Sequence, residues 1–193
     1  MLKLRIGPPP ENATVVGDGS WKPVSGYDAT RAGALRMLSV GLACMLIAIG
    51  LWTALVPGSL PIAWPSVKST LLVLFVLVVV HEALHLLAFP GAGVGNAVAG
   101  IWPAKGAAYV QYTLPAHRRR FVLATLTPVS VLSVGVLVAA LSGVQVPVAL
   151  QWASVLNAFG SGADLLVVYS LMQQSSPSAL VLESAQKLYT REA

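Results

Sequence analysis

Four long apolar stretches divide the chain, at roughly 34–57, 69–89, 121–142 and 149–172. A helix needs about 20 apolar residues to cross a bilayer, and each stretch reaches that length. The first begins too late, behind too polar a leader, to be a cleaved signal peptide. The expected fold class is therefore an α-helical membrane protein with about four transmembrane helices. Residues 1–32, with "GPPPEN" and "GDGSWKPVSG", read as a mostly irregular cytoplasmic leader. A membrane-embedded domain is expected over 33–173, with its core at about 69–172, and a cytoplasmic tail over 174–193. Leu180, Leu182 and Leu188 give that tail a weak helical period, so a short amphipathic helix is expected there. Between the second and third spans, "NAVAGIWPAKGAAYVQYTLP" sets β-branched and aromatic residues on both sides of a "PAKG" turn. This predicts a short cytoplasmic β-hairpin, about 97–102 and 107–113.

Composition agrees with a lipid environment, with 56% hydrophobic and only 10% charged residues. The net charge of +5 matters through its distribution. Lys3, Arg5, Lys22, Arg31 and Arg36 precede the first span, and Lys105 and Arg118–Arg120 lie between the second and third. Lys187 and Arg191 follow the fourth, which leaves Lys68 alone on the other side. This positive-inside pattern puts both termini and the 90–120 loop in the cytoplasm. The "HRRRF" run then reads as a topology anchor that touches lipid headgroups, with no nucleic-acid partner expected. Trp52, Trp64 and Trp152 are expected at the outer interface and Tyr169 at the inner one. Cys44 lies inside the first span and has no partner for an internal disulfide.

Against that background, ten consecutive apolar residues of the second span run into "HEALH". His81 and His85, at i and i+4, share one helix face and can reach a single ion. Glu82 stands beside the first of them, where a carboxylate can take a proton from an activated water. Ionisable groups are costly inside a span and by default mark function. A catalytic zinc usually takes three protein ligands. Across 34–172 the only acids are Glu82 and Asp164, and the only other histidine is His117, at the interface. His81 lies roughly 18 Å below the start of its span and Asp164 roughly 20 Å below the start of its own. Asp164 is therefore the expected third ligand. Asn157, two turns before it, can donate to a substrate carbonyl or oxyanion, or form an interhelical hydrogen bond. Gly160, Ser161 and Gly162 are expected to weaken or kink the helix just before Asp164.

An HExxH span, a β-like cytoplasmic segment, a further span and then a span with Asn and Asp resemble the three-helix core of site-2 proteases. The pattern looks even more like small bacterial "putative zincin peptidase" membrane proteins. The resemblance covers about 69–172 and leaves 1–68 outside. It implies His81, His85 and Asp164 as zinc ligands and Glu82 as general base. Where site-2 proteases carry "LDG", this chain has "GADLL".

The expected function is a membrane-embedded zinc metallopeptidase acting on a membrane-associated or transmembrane protein, with Zn2+ as cofactor. The hairpin would hold an extended substrate by strand addition. The alternative is a non-catalytic metal-binding membrane protein, a carrier or accessory subunit, which needs the histidines but has no use for Glu82. The sequence leaves oligomeric state open.

Overall fold

The computed structural model describes residues 3–12, 19–26, 31–60, 67–89, 96–185 and 187–192. Two short strands come first, β1 (Lys3–Ile6) and β2 (Lys22–Pro23), followed by helices α1 (Arg31–Leu55) and α2 (Val67–Ala88). Prolines punctuate these helices: Pro57 follows α1, Pro65 precedes α2 and Pro90 follows it. Next come β3 (Ala97–Trp102), β4 (Ala107–Tyr112) and β5 (Ala116–His117). A long helix α3 (Arg118–Leu141) follows. It widens to a π-helix over Val129–Gly135, directly after Pro128. Helices α4 (Val148–Gly160) and α5 (Gly162–Gln174) meet at a 40° bend, and β6 (Leu180–Ser184) and β7 (Lys187–Arg191) end the chain.

Among the described residues, three helices are long and apolar enough to cross a membrane, over Ala32–Leu55, Thr70–Ala88 and Arg118–Leu141. The bent pair α4–α5 passes the same test as one span. At about 1.5 Å per residue these helices match a hydrocarbon core of about 30 Å. Large apolar side chains of α2, Leu71, Leu72 and Phe75 among them, are exposed. That surface is suited to lipid.

Two sheets flank the helices. The strands Ala97–Trp102 and Ala107–Tyr112 pair antiparallel, turning at Pro103–Lys105 and a left-handed Gly106. They do not form an isolated hairpin, because β1 adds in parallel to the other edge of β3, Lys3 opposite Val98 and Ile6 opposite Ile101. The second sheet has the order β2-β7-β6-β5. The mostly irregular leader nevertheless contributes one short strand to each sheet. Strands β6 and β7 correct the amphipathic helix expected in the tail. Val181, Leu182 and Leu188 are buried as strand residues, packed with Phe89, Tyr112, Phe121 and Leu171 or held in the sheet.

The leader also joins the two sheets. Pro10 O accepts from Gln111 Nε2 at 2.9 Å and from Ala185 N at 3.1 Å, and Asn12 Nδ2 donates to Thr113 O at 3.0 Å. Trp52, near the end of α1, is only 1% exposed and donates to Ser154 Oγ at 2.9 Å, so it packs between helices. Arg118 is buried and donates to Ser175 O, whereas His117, Arg119 and Arg120 of the basic run are exposed. Trp64 lies outside the described residues.

Candidate metal centre

Helix α2 presents His81 and His85 one turn apart, and their Nε2 atoms stand 3.2 Å from each other. Asp164 sits in the first turn of α5, just past the bend. Its Oδ2 is 3.3 Å from His81 Nε2 and its Oδ1 is 3.4 Å from His85 Nε2. The bend is what delivers the carboxylate to that depth. Ser161, with φ −70° and ψ 0°, separates the two half-helices.

The far side of each imidazole settles which nitrogen carries its proton. His81 Nδ1 is 2.8 Å from Asn157 Oδ1. The Asn157 amide is turned that way because Nδ2 already donates to Pro128 O at 3.1 Å and Ser133 Oγ at 2.9 Å. His85 Nδ1 is 3.0 Å from Ala124 O, a carbonyl that can only accept. A neutral imidazole protonated at Nδ1 has a bare lone pair at Nε2. Two lone pairs and a carboxylate therefore converge, and Asp164 Oδ2 is buried with no hydrogen-bond donor. A cation between them would satisfy all three acceptors at once. A tetrahedral ion with bonds of about 2.0–2.1 Å spaces its ligand atoms about 3.3–3.4 Å apart. The distances of 3.2, 3.3 and 3.4 Å fit that figure. His81, His85 and Asp164 are a possible metal site.

Glu82, partly buried, faces His81, His85, Asp164 and the backbone N–H of Val110 on β4. It also opens into an apolar cavity of about 890 Å³ between α2 and the β1-β3-β4 sheet, lined by Phe75, Val79, Leu86, Ile101 and Val110 among others.

Asn157 takes the interhelical role. Both its amide hydrogens are engaged and it is 1% exposed, the arrangement of the interhelical alternative. His117 is exposed at the start of α3, away from the cluster.

The sequence reading missed several supporting residues. Pro128 and Ser133 were visible as a proline and a hydroxyl within an apolar span. Tyr112, whose hydroxyl donates to His85 O at 2.6 Å, and Glu183, whose Oε2 accepts from Tyr112 N at 3.1 Å, come from the sheets. Burial, with the negative charges of Glu82 and Asp164 adding to it, pushes the Glu183 carboxyl up to about 7.

A family model described as "putative zincin peptidase" matches residues 74–179. The chain belongs to that family. For a zincin peptidase the name implies a zinc metallopeptidase, and the matched segment carries His81, Glu82, His85, Asn157 and Asp164. Helix α1 and both strands β6 and β7 lie outside the family match. No curated protein and no solved structure matches the chain.

Proposed function

We propose that this chain is a zinc-dependent intramembrane metallopeptidase of site-2-protease type, cutting membrane-associated or transmembrane proteins. The carrying observation is that Glu82 stands beside the converging His81, His85 and Asp164 while opening into an apolar cavity. Zinc held by those three would act as Lewis acid and lower the pKa of a water to about 7. Glu82 takes the proton of the attacking water and hands it to the leaving amine. Asn157 and the Ala124 carbonyl keep both imidazoles in the ligating tautomer. The non-catalytic alternative gives Glu82 no task, and the placement of Glu82 supports the catalytic reading over it.

Among the described residues no strand pairs with the far edge of β4, which suits an extended substrate, whereas β1 covers the outer edge of β3. The N–H groups of Val110 and Tyr112, two residues apart, face the Glu82 and Glu183 carboxylates. Substrate carbonyls would replace those carboxylates as partners. By the charge pattern, both sheets and both termini would lie in the cytoplasm of a bacterial cell, around an inner-membrane bundle.

The test is hydrolysis of fluorogenic apolar peptides by the full chain in liposomes. Wild type should cleave, whereas Glu82→Gln should retain zinc and lose at least about 100-fold in rate. Equal rates would remove Glu82 as base, and zinc-loaded wild type that cleaves nothing would favour the metal carrier.

A further inference from the structure

Pro128 is fully buried within α3, a helix whose interior a proline disfavours. Lacking an N–H, it leaves the carbonyl four residues earlier without its helical partner, and that carbonyl belongs to Ala124. In a lipid-embedded helix a freed carbonyl must find another donor. Here the donor is His85 Nδ1, at 3.0 Å. The carbonyl of Pro128 itself accepts from Asn157 Nδ2 at 3.1 Å, and Asn157 Oδ1 faces His81 Nδ1 at 2.8 Å. Each imidazole is thus oriented by an acceptor that traces back to one residue of the third span.

We infer that Pro128 is the positioning residue for both imidazoles, His85 through the missing N–H and His81 through Asn157. The inference rests on the metal-site reading above and deepens it. It also accounts for a proline where an apolar span has no other use for one.

Removing the proline should separate its two effects. Pro128→Ala restores an N–H that reclaims the Ala124 carbonyl, while the carbonyl at position 128 remains. His85 should then lose its fixed tautomer and His81 keep its own. Asn157→Leu should do the reverse. The readout is ¹⁵N NMR of the histidine rings in the full, zinc-free chain at alkaline pH, alongside competition titration with zinc.

Wild type should show Nδ1–H at both rings. Pro128→Ala should show mixed tautomers at His85 only, with zinc binding weakened about 10–100-fold. Three results would overturn the inference: Nε2–H at His85 in wild type, a single Nδ1–H tautomer at His85 in Pro128→Ala, or unchanged zinc affinity in that variant. The wild-type spectrum decides the matter even if the variant fails to fold. Wild type that binds no zinc would sink the metal reading instead, and the ring tautomers alone would then decide the role of Pro128.

Discussion

Gly162 and Gly41 meet backbone to backbone: a Cβ on Gly162 would stand 2.5 Å from the Gly41 nitrogen and 2.6 Å from its Cα. Helix α1, outside the family match, therefore presses directly on the bend that delivers Asp164. Small residues allow such close crossings between membrane helices.

Gly162→Ala should force α1 away from the bend, at a cost of about 1–3 kcal/mol, and weaken zinc binding by displacing Asp164. Gly160 tests the same segment without the clash, because a Cβ there meets nothing within 4 Å. Gly160→Ala should stay within about 0.5 kcal/mol of wild type. Melting temperature and zinc affinity of the two variants check this. Equal effects would mean that the break, rather than the helix contact, sets the position of Asp164.

Asn157→Asp keeps an acceptor for His81 Nδ1 but sets its other oxygen against the Pro128 carbonyl, so it should bind zinc less tightly than wild type. Asn157→Ala should lower zinc affinity about 10–100-fold. If both variants bound zinc like wild type, Asn157 would not be orienting His81.

Glu183 makes stability depend on pH. Its carboxyl titrates at about 7 in the fold against an ordinary 4.5, so the ionised form is disfavoured in the folded protein. Burial, Glu82 and Asp164 push it up, while the Tyr112 N–H and His85 hold it down. Below pH 4.5 the group is protonated in both states and costs nothing, and the cost grows as pH rises towards 7. Glu183→Gln should therefore gain stability over wild type through that window and hold the gain above it. Melting curves of metal-free protein at several pH values check this. A difference that stays flat with pH would contradict it.

The cluster was legible because the spans hold so few ionisable groups. Glu82 and Asp164 are the only acids in the apolar segments and His81 and His85 the only histidines, so helix rise was enough to match their depths. The role of Asn157 was not legible, because which way its amide turns depends on Pro128 and Ser133 in another span. The tail's strands and the two short strands of the leader were not legible for a related reason. They pair across the whole chain, Lys3 with Val98 and Lys22 with Thr190, and no local period announces such partners.

The most direct test of the account is zinc binding by purified full-length wild type, Asp164→Ala and His117→Ala. Metal analysis and competition titration would be read for all three. The account predicts about one tightly held zinc per chain in wild type and in His117→Ala, and greatly weakened binding in Asp164→Ala. Asp164→Ala that held zinc as tightly as wild type, or His117→Ala that lost it, would contradict the account.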